Sequence, residues 1–131
     1  MERYALENSE FLANMGIKAL VVACNTASAL ALPAIRERIG IDVIGVIGPG
    51  GRRAVEIAST GPPRIGVIAT EATIASNAYR DAVTRAAPAA EVLQAACPLF
   101  VPLAEEGWTD EPETRLIAER YLAPLRGQQI E

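Results

Sequence analysis

Four short apolar runs rich in β-branched residues punctuate the chain: Ala19–Ala23, Val43–Ile47, Ile65–Ala69 and Val92–Ala96. They begin at positions 19, 43, 65 and 92, at intervals of 24, 22 and 27 residues. Each interval has room for a helix and two turns. The runs are nearly continuous rather than polar-alternating, the pattern of strands covered on both faces. A strand–helix repeat of this length predicts an α/β fold with parallel sheets, flanking helices and right-handed crossovers.

The helices are read from periodicity and punctuation. Glu2 to Met15 carries Tyr4, Phe11, Leu12 and Met15 on one expected apolar stripe, and Gly16 stops it. Thr26 is the expected N-cap of a helix running to Ile39, with a kink or restart at Pro33 and a stop at Gly40. Gly48-Pro49-Gly50-Gly51 reads as a turn, followed by a helix to Ala58 and a loop at Thr60-Gly61-Pro62-Pro63. Further helices are expected over Thr73–Ala86, after Cys97-Pro98 through Leu103 to Glu106, and over Glu113–Leu125, with a loop from Gly107 to Pro112. The glycine cluster marks the expected lobe boundary, with residues 1–48 in one lobe and 49–131 in the other. It does not read as a phosphate loop, because Arg53 stands where that motif needs Gly or Ala and no Gly-Lys-Ser/Thr follows.

Composition removes several function classes. Half of the 131 residues are hydrophobic and 21% are charged, a globular balance. The 24 alanines against 5% aromatics favour helices packed closely on small side chains. Net charge is −4 with a single lysine, Lys18, so no basic footprint for nucleic acid is expected. Histidine is absent, which excludes a Ser-His-Asp triad, a Cys-His dyad and the common zinc sites; no metal is expected. The two cysteines, Cys24 and Cys97, form no CxxC motif, and no apolar run is long enough for a membrane span. A cytoplasmic protein is the expectation, with no membrane partner.

The sharpest local feature is Val21-Val22-Ala23-Cys24-Asn25-Thr26-Ala27-Ser28-Ala29. A buried strand delivers a cysteine to its C-terminal end, where open α/β sheets bind ligands. The helix that follows presents free N–H groups, which favour a thiolate and receive a carboxylate. Asn25 adds two donors and an acceptor, and Thr26 a hydroxyl. A reactive thiol beside an anion site and a structural cysteine before an ordinary cap both fit these residues.

Longer matches give the sequence a family likeness. Arg3-Tyr4-Ala5-Leu6-Glu7 … Phe11-Leu12, then Gly16-Ile17-Lys18 … Ala23-Cys24-Asn25-Thr26-Ala27-Ser28-Ala29, resembles the glutamate racemases. So do Val43–Ile47 leading into Pro49-Gly50, Gly66-Val67-Ile68-Ala69-Thr70-Glu71-Ala72-Thr73-Ile74 … Ser76 … Tyr79, and Ala96-Cys97-Pro98-Leu99-Phe100-Val101-Pro102-Leu103-Ala104-Glu105-Glu106-Gly107. The likeness covers almost the whole chain.

The resemblance implies a two-lobed α/β racemase fold with a site between the lobes and no cofactor. Its substrate would be L- or D-glutamate, with D-glutamate supplied to peptidoglycan; a homodimer is compatible, and Trp108 fits a loop cover or a subunit contact equally. In that family two cysteines face the substrate Cα from opposite sides. By resemblance Cys24 is the thiol acting on D-glutamate, Asn25 and Thr26 hold substrate, Thr70 and Thr73 contribute from the facing lobe, and Glu105 is a supporting acid. Cys97 precedes Pro98-Leu99-Phe100 rather than Thr-His, so it matches a non-catalytic position. The family's Asp-Ser-Gly, Pro-Tyr-Gly and Cys-Thr-His motifs are absent from these residues. The expected reading is therefore an incomplete fold and an internal piece of a racemase that does not racemise glutamate alone. The alternatives are a racemase, isomerase or decarboxylase of the same superfamily acting on another acid, and a non-catalytic remnant.

Overall fold

The computed structural model describes residues 1–58 and 61–130. Helix α1 (Glu2–Asn14) leads into strand β1 (Ala19–Val22), the short helices α2 (Asn25–Leu30) and α3 (Leu32–Arg38), and strand β2 (Asp42–Gly45). Helix α4 (Ile47–Ile57) follows, then β3 (Arg64–Ala69), α5 (Glu71–Ala75), α6 (Ala78–Ala86) and β4 (Glu91–Ala96). Helices α7 (Phe100–Glu105) and α8 (Pro112–Leu122), with a terminal 3-10 turn, close the order. Thr60 of the expected loop lies outside the described residues.

The strands form two parallel pairs. β1 runs beside β2 with Leu20 opposite Val43, and β3 beside β4 with Ile65 opposite Val92. Each pair supports its own core. Leu20, Val43, Ala31, Ile35 and Ile39 pack together in the first, and Ile65, Val92 and Val83 in the second. The restart expected at Pro33 occurs: α2 ends at Leu30 and α3 begins at Leu32, with Pro33 in its first turn, where its missing N–H costs nothing.

Four expectations are corrected. The β1–β2 sheet is not covered on both faces. Val21 and Ile44, direct cross-strand partners, are 61% and 50% exposed, because α2 and α3 lie on one side and no described element lies on the other. The α1 stripe is reversed: Tyr4, Phe11, Leu12 and Met15 face solvent, while Ala5, Leu6 and Ala13 pack against the core. Small side chains let α1 approach α3 closely, as an alanine-rich chain favours.

The glycine cluster is helix rather than turn. α4 starts at Ile47, so Pro49 falls in the first turn, where proline is tolerated. Its glycines serve helix packing: a Cβ on Gly51 would lie 2.9 Å from Ala82 Cβ on α6. The helix expected over Thr73–Ala86 is divided. Asn77 adopts a left-handed φ of 56°, which ends α5 and restarts the chain as α6.

Candidate active site

β1 ends at Val22 and α2 begins at Asn25, so Cys24 stands at the junction. Its sulfur, rather than the Thr26 hydroxyl, caps the helix: the Ala27 N–H donates to Cys24 Sγ over 3.5 Å. The expected capping role of Thr26 is thereby corrected. Ser28 braces the junction. Its Oγ donates to Val22 O at 2.8 Å and accepts from the Val46 N–H at 3.3 Å, tying the ends of β1 and β2 together. Cys24 itself is exposed.

Thr26, freed from capping, reaches the second sheet's elements. Its Oγ1 lies 3.0 Å from Thr70 Oγ1 and 3.1 Å from Thr73 Oγ1. Thr70 and Thr73 are themselves 3.0 Å apart, closing a ring of three hydroxyls. One proton per hydroxyl suffices for each to donate to the next, and each oxygen keeps a further lone pair. Thr70 also caps α5 by accepting the Thr73 N–H at 3.4 Å. Thr73 is only 1% exposed, so the ring supplies the partners that its buried hydroxyl requires.

A second polar contact crosses beside the ring. The Tyr79 hydroxyl, from the first turn of α6, donates to Asn25 Oδ1 at 2.6 Å. Its ring lies against Gly50 of α4, where a Cβ would come within 3.3 Å of it. Burial pushes the Tyr79 phenol above its ordinary 10.0, so it remains a neutral donor at neutral pH.

Asn25, Thr70, Thr73 and Tyr79 line one side of a cavity of about 490 Å³, whose remaining wall is largely β3, Phe100 and Val101. Cys97 lines it too, buried at 2% exposure, with its thiol directed at Ala95 O at 3.8 Å. Burial raises the Cys97 thiol above its ordinary 9.0. Glu105 lies elsewhere, exposed at the last residue of α7 and off the cavity wall. The fold thus brings Asn25, Thr26, Thr70 and Thr73 together, with Cys24 next to them in the chain, while Cys24, Thr26 and Glu105 stand off the cavity wall. Among the described residues no three His, Cys, Asp or Glu side chains converge as metal ligands, and no helix is long and apolar enough to cross a membrane.

Residues 2–131 match the family model described as Asp/Glu/Hydantoin racemase. The chain belongs to this family. A glutamate racemase of Geobacter metallireducens is 56% identical over 124 residues, covering 95% of this chain and 45% of that protein. Among solved structures, the Francisella tularensis glutamate racemase in complex with D-glutamate superposes with a TM-score of 0.89 at 36% identity, over 98% of this chain and 48% of its own. A Bacillus anthracis glutamate racemase gives a TM-score of 0.90 at 39% identity, with the same coverage. The chain therefore spans about half the length of the relatives it matches. Its parallel strands and flanking helices are those of this racemase fold.

Tyr79 falls within a matched segment, yet its sequence carries no sign of a role at the site. Its link to Asn25 spans 54 residues and depends on the packing of α4 on α6, which no local pattern encodes.

Proposed function

We propose that this chain supplies the D-face half of a cofactor-independent glutamate racemase site. The observation that carries the reading is the convergence of the Cys24-Asn25-Thr26 turn with Thr70 and Thr73 from a separate sheet's elements. The Asn25 carboxamide and the Thr70 and Thr73 hydroxyls then border one cavity, with the exposed Cys24 next to Asn25 in the chain, a polar set suited to an amino acid with two carboxylates.

In this proposal the Cys24 thiolate removes the Cα proton of D-glutamate and becomes a thiol. The electron pair left at Cα is delocalised into the adjacent carboxylate, where hydrogen-bond donors stabilise the developing charge. Asn25 is the proposed donor, through its Nδ2, and Thr26, Thr70 and Thr73 are proposed to contribute when substrate takes the place of one hydrogen bond of their ring. A second thiol then protonates Cα on the opposite face to give L-glutamate. That thiol belongs to the Cys-Thr-His motif, which these 131 residues do not contain. Glu105 is proposed to support that second thiol, consistent with its position away from the Cys24 cluster.

The proposed lobe boundary falls in the first turn of α4, with residues 1–48 in the first lobe and 49–131 in the second. The relatives' names and the D-glutamate bound in the Francisella structure support glutamate over another acid. Two free thiols fit a reducing cytoplasm, where D-glutamate would be made for peptidoglycan.

A non-catalytic module is the second reading. It is favoured by the burial of Cys97, which leaves Cys24 as the single exposed thiol. Alkylation of Cys24 by iodoacetamide, followed by mass spectrometry, tests the proposal. D-glutamate should slow modification of Cys24 in a saturable manner. Rates indifferent to D-glutamate up to high millimolar concentration would remove the substrate site.

A further inference from the structure

Asn25 offers one acceptor and two donors, and an unrestrained carboxamide rotates freely between presenting either. Beside a carboxylate substrate only the donor end is useful. The Tyr79 hydroxyl occupies the acceptor end at 2.6 Å. Among the described residues no hydrogen bond uses Asn25 Nδ2, and Asn25 lines the cavity shared with Thr70 and Thr73.

Tyr79 is itself well held. It is the second residue of α6, a helix set by the left-handed Asn77 before it. Its ring is seated on Gly50, and a larger residue there would meet Cε1 at 3.3 Å and the hydroxyl oxygen at 3.4 Å. The helix crossing that seats the ring is tightest one residue later, where Gly51 meets Ala82. A rigid donor thus approaches Asn25 from the other sheet's elements.

We infer that Tyr79 is a positioning residue, which holds the Asn25 carboxamide by its oxygen and commits its NH₂ group to the cavity that Asn25 lines with Thr70 and Thr73. Its one hydroxyl proton goes to Asn25 Oδ1, so its polar role runs through Asn25. The inference rests on the proposed racemase site for its purpose, but its geometry stands without it. Tyr79→Phe keeps the ring on Gly50 and removes only the donor.

The test is side-chain amide NMR of the labelled chain, with Asn25→Ala assigning the Asn25 Nδ2 proton pair. In wild type this pair should be shifted from free-asparagine values, and Tyr79→Phe should return it toward them while backbone amides distant from Asn25 stay in place. A reciprocal measurement guards against a misfolded variant: Asn25→Ala should lower the Tyr79 phenol midpoint, followed by its ring carbon shift, because the acceptor of the neutral hydroxyl is gone. D-glutamate titrated into the same samples should bind about threefold to tenfold more weakly to Tyr79→Phe, the range set by one hydrogen bond. An Asn25 pair unmoved by Tyr79→Phe, with a phenol midpoint unmoved by Asn25→Ala, overturns the inference whatever glutamate does. A moved pair with no glutamate binding by either protein upholds the positioning and counts against the racemase reading instead.

Discussion

The hydroxyls of Thr26 and Thr70, 44 residues apart in sequence, lie 3.0 Å from each other. One belongs to the helix after β1 and the other caps the helix after β3, so this contact joins the two sheets' helices at the polar end of the cavity. Thr73 completes the ring from a buried position. A cavity border shared in this way changes shape if either side moves.

Thr73→Val preserves volume and deletes the buried hydroxyl. Thr26 and Thr70 remain paired with each other, so the expected cost is about 1 kcal/mol rather than a collapse of the interface. Urea unfolding of both proteins measures it. A variant as stable as wild type would show that the ring adds nothing to folding.

Gly51 should not tolerate alanine. A methyl there meets Ala82 Cβ at 2.9 Å, so α4 and α6 must separate, at a cost of about 1–3 kcal/mol. The thermal midpoint of Gly51→Ala should fall below that of wild type, and an unchanged midpoint would show that the two helices are not held at this crossing.

Cys24 should react with iodoacetamide much faster than Cys97. Cys24 is exposed, whereas Cys97 is buried and its thiol titrates above 9.0. The same shift carries a stability consequence. Where the folded thiol keeps its proton and the unfolded one loses it, the unfolded state binds fewer protons. Stability therefore holds below pH 9 and declines as pH rises above it, joined above pH 10 by the raised Tyr79 phenol. Urea midpoints between pH 8 and 11 should fall less steeply for Cys97→Ala than for wild type.

The uncovered sheet face should drive self-association. Val21 and Ile44 form an adjacent apolar pair on solvent-facing strands, with no described residue over them. Sedimentation at rising concentration should show assembly by the wild-type chain and far less by the double variant Val21→Lys, Ile44→Glu. Identical behaviour of the two would move the association elsewhere.

Much of the architecture is legible in the sequence because parallel strands announce themselves by apolar runs. Each expected strand overlaps an observed one, with starts at Ala19, Asp42, Arg64 and Glu91. The cluster around Cys24 is legible for a different reason, since the matched motifs carry Asn25, Thr26, Thr70 and Thr73 together. What stays hidden depends on contacts between distant segments. Pro49 among its glycines looks like a turn until α6 is seen to need Gly50 and Gly51 small. Tyr4 and Phe11 look like a core stripe until α3 is found against Ala5 and Ala13 instead. The roles of Cys24 as cap and Tyr79 as partner of Asn25 follow from three-dimensional placement alone.

The most direct test of the account is Cα proton exchange of D-glutamate in heavy water, followed by NMR, with wild type and Cys24→Ala in parallel. A thiol working on one face alone should remove the proton, exchange it with solvent and return deuterium to the same face. The predicted result is deuterated D-glutamate with no L-glutamate formed, and no exchange in Cys24→Ala. Exchange that persists in Cys24→Ala, or L-glutamate produced by this chain, would contradict it.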